Sequence, residues 1–476
     1  MSILERDAIV VGAGQAGPSL AVRLASSGLK TVLVERGELG GTCVNNGCTP
    51  TKTLVASARV AHLARRAADF GVVIGGGVTI DAKAVRERAL AVVRDSRDGL
   101  GTWLRETPGL ELVRGEARFT SANALRVGAS ELRAPRIFLN VGARPVVPDW
   151  VARSGVPFLT NETILGLDEI PEHLVILGAG YISLEYAQIH RRFGARVTLI
   201  EHGPRFLPRE DEDTAAAVRA VLEGEGIAIR TGLSGTALRA GAGGRGIVLD
   251  VAASDPQSAG PQGADGGRIE GSHLLVAIGR RPNTDALGLA EAGITTGPGG
   301  VIQVDDELRT NLPHVWALGD ANGRGAFTHT SYNDYEIVAA NLLGDGPRRR
   351  VSDRIPAYAL YTDPPLARIG MNKDAAREAA RTRGLRVQVA RRPMTRVARA
   401  VERGETAGFM EALVDAGSGR LLGATIFGVE GDEVIHSLLD VMAAGQPAAA
   451  IARTMHVHPT VSELVPTMLQ ELQPLE

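Results

Sequence analysis

The feature that most constrains this 476-residue chain is a strand–glycine motif–helix–strand–acid pattern near its start. An apolar run at residues 7–11 leads directly into the motif GAGQAG, and a helical pattern follows it. A second strand at residues 31–34 ends in Glu35. In a dinucleotide-binding βαβ unit, the glycines let a pyrophosphate approach the helix N-terminus, and the acid accepts hydrogen bonds from the ribose. The motif glycines are Gly12, Gly14 and Gly17.

The same pattern returns in the middle of the chain. A strand at residues 174–177 leads into Gly178 and Gly180, and a serine takes the place of the third glycine. A helix and a strand at 196–200 follow, and this strand ends in Glu201. Two such units predict two Rossmann-like domains that bind two dinucleotides, although a second unit without a ligand is the alternative.

The acid of the second unit bears on the choice of nicotinamide cofactor. Glu201 suits a free 2′-hydroxyl and would repel a 2′-phosphate, which favours NADH over NADPH. Arg205 and Arg209 follow closely and could accept a phosphate, so NADPH stays possible.

Both cysteines of the chain, Cys43 and Cys48, lie five positions apart among glycines. Such a pair at the first turn of a helix can alternate between disulfide and thiolate. A structural disulfide and half a zinc site are the alternatives, but so small a ring removes little chain entropy, and further zinc ligands at recognisable spacing are missing. Lys52 is one of only four lysines in an arginine-rich chain. A lysine kept so close to Cys48 indicates a need for a compact ammonium at that place, or it is simply a surface residue.

Two similar phrases, at residues 136–145 and 274–283, are predicted to be the crossings between the nucleotide domains. The stretch 241–271 is rich in Gly, Ala, Ser and Pro and is predicted to be a surface loop on a hairpin. An apolar strand at 315–318 ends in Gly319 and Asp320. An Asp at that place is suited to bind a sugar or ribityl hydroxyl, or it simply forms a turn.

From about residue 354 the pattern changes to alternating strands and two helices without a nucleotide motif, which predicts a separate α+β domain. Near its end lie His458 and Glu463. A histidine held by a carboxylate is an acid–base pair that would serve a dithiol, although such a pair can also be structural.

Composition excludes several classes of function. The formal net charge is −2, which gives no electrostatic reason to expect nucleic acid or an anionic membrane as a partner. The sequence has neither an apolar run of membrane-spanning length nor a signal-peptide pattern. Two cysteines in a long chain fit a reducing compartment, so we expect a cytoplasmic protein with no metal site.

With these residues in place, the chain resembles the pyridine nucleotide–disulfide oxidoreductases of the glutathione reductase and lipoamide dehydrogenase type over essentially its whole length. The resemblance is closest to the mercuric-reductase-like branch, through GTCVNNGCTPTK at 41–52 and PRFLPRED at 204–211. It implies an α/β fold of two Rossmann-like domains plus a C-terminal α+β dimerisation domain. The implied ranges are an FAD domain at 1–150, an NAD(P)H domain at 151–278, an FAD-domain completion at 279–347 and an interface domain at 348–476.

The resemblance also implies the cofactors and where they bind. FAD is expected on the first unit and NAD(P)H on the second. Beyond the motif residues already named, the positions expected to contact FAD are Gly41, Thr42, Gly142, Gly319 and Asp320, and the position expected to contact NAD(P)H is Gly279.

Roles for the remaining site residues follow from the same resemblance. Electrons would pass from nicotinamide through the flavin to a disulfide between Cys43 and Cys48. Cys48 is expected to be the charge-transfer thiolate near the flavin, and Cys43 the thiol that attacks substrate. Lys52 is expected beside the flavin N5, paired with Glu185 of the second unit's helix.

The C-terminal domain would form a homodimer, so that His458, oriented by Glu463, reaches the partner subunit's dithiol. The expected substrate is a small disulfide, an oxidised thiol or a thiophilic metal ion. The chain lacks the C-terminal cysteines of mercuric reductases and large thioredoxin reductases, which argues against mercury or protein disulfides as substrates. The alternatives are a dihydrolipoyl dehydrogenase, and a diaphorase, quinone reductase or redox sensor that does not turn over through the dithiol.

Overall fold

The structure, a computed structural model, describes residues 2–254 and 267–475. The first part of the chain contains four α-helices, most strands of a parallel sheet and a smaller mixed sheet. Its elements are β1 (Ser2–Glu5), β2 (Ala8–Val11), α1 (Ala16–Ser26), β3 (Thr31–Glu35), α2 (Gly41–Asn46), α3 (Cys48–Arg65), α4 (Ala82–Glu106), β4 (Leu110–Arg114), β5 (Ala117–Ser121), β6 (Ala124–Val127), β7 (Ser130–Arg133), β8 (Ile137–Leu139) and β9 (Ala143–Pro145).

The second part of the chain contains the second glycine motif and a second parallel sheet. Its elements are α5 (Asp149–Ala152), β10 (His173–Leu177), α6 (Tyr181–Phe193), β11 (Arg196–Glu201), α7 (Glu212–Gly224), β12 (Ile227–Thr231), β13 (Leu233–Ala240), β14 (Ile247–Ala253), β15 (Gly267–Gly271) and β16 (His273–Val276).

The chain then returns to the first sheet before it builds the last domain. The elements of this return are β17 (Arg280–Pro282), α8 (Leu289–Ala292), β18 (Val315–Ala317) and α9 (Thr328–Leu343). The last part consists of β19 (Ala357–Leu360), β20 (Leu366–Gly370), α10 (Lys373–Arg383), β21 (Val387–Pro393), α11 (Ala398–Glu402), β22 (Phe409–Asp415), β23 (Leu421–Phe427), α12 (Gly431–Ala443), α13 (Ala449–Ala452), α14 (Val465–Met468) and β24 (Gln473–Pro474).

Two parallel sheets carry the two glycine motifs. The first has the order β18-β8-β2-β3-β4 and the second the order β12-β11-β10-β16. Strands β2 and β10 are buried at every residue, as expected for parallel strands covered on both faces. In each sheet the glycine motif follows the carboxyl end of a central strand, so both motifs open at a sheet edge where ligands of this fold class bind.

The crossings predicted from the two similar phrases are confirmed. Strand β9, which leaves the first unit, pairs antiparallel with β17, which leaves the second. The predicted fold class, two Rossmann-like domains and a C-terminal α+β domain, is also confirmed, because the last part forms a six-stranded antiparallel sheet in the order β19-β20-β23-β22-β21-β24. The four domain ranges stay a prediction.

The prediction of a surface loop on a hairpin over residues 241–271 is confirmed for the hairpin, which β14 and β15 form. Strands β14 and β15 lie inside that range and form a three-stranded antiparallel sheet with β13. Ile247, Leu249 and Val251 alternate inward and are buried, and this period-2 pattern outweighs the surrounding Gly and Ala. Residues 255–266 of the predicted loop lie outside the described residues.

Candidate active site

The two cysteines lie where the short helix α2 meets the long helix α3. Cys43 belongs to α2, and Cys48 is the first residue of α3, after Gly47. A side chain at Gly47 would come within 2.7 Å of the Thr42 carbonyl oxygen, so the tight link between the helices requires glycine. The prediction that the pair sits at a helix start is confirmed for Cys48, whereas Cys43 occupies a helix of its own. Both thiols are free in this structure.

The two thiols differ in their affinity for a proton. The hydrogen bond that Cys43 donates lowers the pKa of Cys48 to about 6 in spite of burial, and Thr328 and Lys52 act in the same direction. The same hydrogen bond, together with burial, raises the pKa of Cys43 far above its usual range. The Thr328 hydroxyl lies 3.2 Å from the Cys48 sulfur. This arrangement favours the thiolate on Cys48 and keeps the shared proton on Cys43.

Lys52 forms an ion pair with Glu185, which joins the helix of the dithiol to the helix of the second glycine motif. Its Nζ donates to both carboxylate oxygens of Glu185, at 2.7 and 2.9 Å. The Glu185 side chain is 6% exposed and that of Lys52 is 34% exposed. The Lys52 ammonium also lies 4.7 Å from the centre of the Tyr361 ring. The predicted pairing of these two residues is present in the structure.

A single cavity of about 1840 Å³ connects the dithiol with both glycine motifs. Cys43, Cys48, Lys52 and Glu185 all line it. From the first unit it is lined by Gly12, Gly14, Glu35, Gly41, Thr42, Gly142 and Asp320. From the second unit it is lined by Gly178, Gly180, Glu201 and Gly279.

The first glycine motif has the close backbone packing that a dinucleotide requires. A side chain at Gly12 would come within 2.3 Å of the Asn140 carbonyl oxygen, and one at Gly17 within 2.0 Å of the Gly12 carbonyl oxygen. Gly17 thus packs the helix onto the strand without lining the cavity, while Gly14 faces it. Glu35 accepts hydrogen bonds of 2.6 Å from the backbone N–H groups of Ala13 and Gly37. This bare backbone beside a helix N-terminus fits a pyrophosphate, and the adjacent carboxylate fits a ribose.

The second motif repeats this arrangement. A side chain at Gly178 would come within 2.5 Å of the Ala277 carbonyl oxygen. Glu201 accepts from the backbone N–H groups of Ala179 and Gly203 at 2.8 and 2.9 Å. The residues of this unit therefore also fit a dinucleotide, whose adenosine ribose would lie against Glu201.

The edge of the first sheet adds a charged residue that the sequence patterns did not single out. Arg280 donates to the Thr42 hydroxyl at 3.1 Å, and its Nε lies 3.6 Å from Asp320. Burial raises the pKa of Asp320, and Arg280 opposes that rise. The backbone N–H of Gly319 donates to Asp334 at 2.7 Å, which fixes the turn that presents Asp320 to the cavity. Arg280 lies in the phrase 274–283, but its place beside Thr42 depends on the return of the chain at β17, which that phrase alone does not reveal.

His458 and Glu463 form a pair outside this cavity. His458 Nδ1 lies 2.8 Å from Glu463 Oε2, as predicted. The His458 side chain is 74% exposed, and within one chain neither residue lines the cavity. Met455 and Val457 beside it are also largely exposed, at 94% and 77%. The His458–Glu463 pair therefore does not contact the dithiol of its own subunit.

Two kinds of feature are absent from the described ranges. Over residues 2–254 and 267–475, no group of three or more His, Cys, Asp and Glu side chains could hold a metal ion. In the same part of the chain, no helix has both the length and the apolar character needed to cross a membrane.

Comparison with known families agrees with this geometry. Residues 6–334 match the family model described as pyridine nucleotide-disulphide oxidoreductase. Residues 356–469 match the model of that family's dimerisation domain. The chain belongs to the pyridine nucleotide-disulphide oxidoreductase family. It is thus an FAD-dependent oxidoreductase with NAD(P)H as the electron donor.

Individual members of the family match along nearly their whole length. The chain is 34% identical to a probable pyridine nucleotide-disulfide oxidoreductase, RclA, of Escherichia coli, over 96% of this chain and 97% of that protein. It is 32% identical to a mercuric reductase of Streptomyces lividans, over 96% and 94%. A solved copper(II) complex of the HOCl-induced flavoprotein disulfide reductase RclA aligns with a TM-score of 0.86 and 32% identity, over 98% of this chain and 99% of that one.

The unequal thiols give a testable prediction for this family member. In the reduced protein we expect the alkylation rate of Cys48 by iodoacetamide to rise with pH through about 6 and then level off, because its thiolate forms there. Cys43 should react more slowly than Cys48 in the His458→Ala variant, which lacks the base expected to take its proton. Peptide mass spectrometry after short exposures measures both rates.

A matched pair of lysine variants controls this experiment. Lys52→Met should move the Cys48 profile to higher pH, since the variant loses a cation that favours the thiolate, whereas Lys30→Met at an exposed site should not. Equal titration of both cysteines near the ordinary thiol value of about 8.5 would contradict the arrangement.

Proposed function

We propose that the chain is an NADH-preferring disulfide reductase that passes electrons through FAD to Cys43 and Cys48, and from them to a small disulfide, an oxidised thiol or a thiophilic metal ion. The observation that carries the proposal is the unequal thiol pair, which shares one cavity with both glycine motifs and the Lys52–Glu185 pair. When bound, FAD supplies the two-electron link between nicotinamide and disulfide. Lys52 would hold a positive charge beside the Cys48 thiolate and the flavin ring.

The reaction with a disulfide then uses the two thiols in turn. Cys43 gives its proton to the partner subunit's His458 and attacks one sulfur of the substrate, so that a mixed disulfide forms and the substrate S–S bond breaks. The leaving thiolate takes the proton back from the partner's His458. The Cys48 thiolate next attacks Cys43 and closes the Cys43–Cys48 bond, and the second product thiolate takes a proton from water. The substrate gains two electrons and the dithiol loses them.

The proposed preference for NADH rests on Glu201. Its carboxylate is held at the end of β11 by two backbone N–H groups, where it would accept from a ribose 2′-hydroxyl and repel a phosphate. Arg209 also lines the cavity and keeps NADPH as a second donor. A cytoplasmic location fits this reducing chemistry, because a dithiol that cycles needs a supply of reduced nicotinamide.

A homodimer is part of the proposal, because neither His458 nor Glu463 lines the cavity of its own subunit. The exposed Met455 and Val457 would be covered by a second copy, and the matched dimerisation domain supports this assembly. Light scattering should give twice the mass of one chain. Mixed dimers of one Cys43→Ser subunit and one His458→Ala subunit should keep about half of the activity at most. One active site of each such dimer would carry both substitutions, and the other would combine wild-type Cys43 with wild-type His458. An active monomer would contradict the assembly.

The names of related proteins bear on the substrate class. RclA of E. coli is called a flavoprotein disulfide reductase and was solved with copper(II), which supports disulfides and thiophilic metal ions as the classes to test here. Dihydrolipoyl dehydrogenases are similar at 32% identity, so lipoamide belongs in the same screen. A diaphorase or a redox sensor, in which electrons leave directly from the flavin, is the alternative of another class.

The test of this proposal is the Cys43→Ser variant of the FAD-loaded protein. We expect NADH-dependent reduction of lipoamide or an aromatic disulfide to fall at least about 10³-fold, because the attacking sulfur is lost. Stopped-flow reduction of the flavin by NADH, measured with the same variant, should keep its rate and serves as the control. Full disulfide turnover by Cys43→Ser, or quinone reduction as the sole activity of the wild type, would contradict the proposal and favour the diaphorase.

A further inference from the structure

A three-residue segment, 361–363, bridges the helix of the dithiol and the helix of the second glycine motif. The backbone N–H of Tyr361 donates to Glu185 Oε1 at 3.0 Å, and its ring lies under the Lys52 ammonium. Two residues on, the backbone of Asp363 is held by Gln188 through hydrogen bonds of 2.8 and 2.9 Å. The segment therefore touches both members of the Lys52–Glu185 pair and is fastened to α6 at two successive turns.

The Asp363 side chain fastens the same segment from the other end. One carboxylate oxygen accepts from Arg59 of α3 at 2.5 Å, and the other accepts from Arg192 of α6 at 2.5 Å. Burial alone would raise the pKa of Asp363, but Arg192 and Arg59 hold it below its ordinary value. With side-chain exposures of 15% for Asp363 and 5% for Arg192, this is a largely desolvated charge cluster. Desolvated ion pairs add little net stability, which makes a role in geometry the better account of its presence.

The spacing along the two helices explains how the cluster can act on the active site. Arg59 follows Lys52 by seven residues on α3, and Arg192 follows Glu185 by seven residues on α6. Seven residues are close to two helical turns, so each arginine lies on the same helix face as the active-site residue. One carboxylate thus holds the two helices at a fixed separation, two turns from the place where Lys52 meets Glu185.

We propose that Asp363 is a positioning residue for this active site: by joining Arg59 to Arg192 it keeps the 361–363 segment against Glu185 and so holds Lys52 at its place beside the dithiol. The inference rests on the proposed function, since it concerns the charge that Lys52 presents to Cys48. Asp363 does not line the cavity itself and acts only through Tyr361, Glu185 and Lys52.

Each arginine that contacts Asp363 has a second acidic partner, so replacement of Asp363 leaves neither arginine unpaired. Arg192 keeps Glu225, which it contacts at 2.7 and 2.9 Å, and Arg59 keeps Glu405 at 2.5 Å. The Asp363→Asn variant should therefore fold, with lower stability, while its 361–363 segment is less firmly held. Loss of a fixed ammonium near Cys48 should raise the pH at which its thiolate forms.

The experiment compares Asp363→Asn with Glu405→Gln in the FAD-loaded protein. Glu405 also holds Arg59 but does not touch the segment, so its replacement is a matched control for lost buried charge. We expect the midpoint of thiolate formation at Cys48, followed by the pH dependence of long-wavelength absorbance of the two-electron-reduced protein, to rise by about 0.5 unit or more in Asp363→Asn. The rate of disulfide reduction should fall about 10-fold. Glu405→Gln should leave both unchanged.

Three outcomes would overturn the inference, and they differ from one another. If both variants lower the unfolding midpoint while the Cys48 titration stays at the wild-type value, Asp363 is only structural. If the wild type itself shows neither a thiolate titration nor disulfide turnover, the proposed function fails, and this inference with it. If Asp363→Asn does not fold, Arg59→Gln takes its place, because it leaves Asp363 paired with Arg192. This variant should raise the midpoint of thiolate formation at Cys48 by a smaller amount. An unchanged midpoint in Arg59→Gln would contradict the role of Asp363.

Discussion

The ion pair between Lys52 and Glu185 is the interaction on which the geometry of this molecule depends. It joins α3, which begins at the dithiol, to α6, which begins at the second glycine motif. A largely buried pair of this kind contributes little to the free energy of folding, because the cost of desolvating two charges offsets their attraction. Its effect is instead to fix the dithiol relative to the second nucleotide unit and to present one positive charge to Cys48.

Around that pair, two separate βαβ units open into one cavity. Each unit presents a strand end, bare glycine backbone and a carboxylate, and the antiparallel contact of β9 with β17 turns both toward the same space. A chain built in this way can bring two dinucleotides and a dithiol together in one cavity. His458 is exposed and paired with the largely buried Glu463, and neither lines this cavity, which is why the proposed protonation of substrate needs a second subunit.

The sequence predicted the parts of this arrangement that are encoded locally. The glycine motifs, Glu35 and Glu201 stand next to strands whose apolar runs are visible in the sequence, and the cysteine pair is recognisable from its spacing alone. The pairing of Lys52 with Glu185 came from resemblance to a family.

Contacts between distant segments escaped prediction. Arg280, Thr328 and Tyr361 reach the site only because the chain folds back on itself, and a single arginine, threonine or tyrosine carries no pattern. The same reason applies to Asp363, since Arg192 and Arg59, which it joins, each lie more than 170 positions before it in the sequence. At 241–271 the hairpin was predicted, but a composition of small residues concealed the inward alternation of β14.

The most direct test of the central claim, that the dithiol receives the electrons of NADH, is an anaerobic titration of the FAD-loaded protein with NADH under visible absorbance. The asymmetric thiols predict a long-wavelength thiolate-to-flavin band after two electrons, and this band should be lost in Cys48→Ser. Bleaching of the flavin without that band would show that the disulfide takes no electrons, and it would contradict the account.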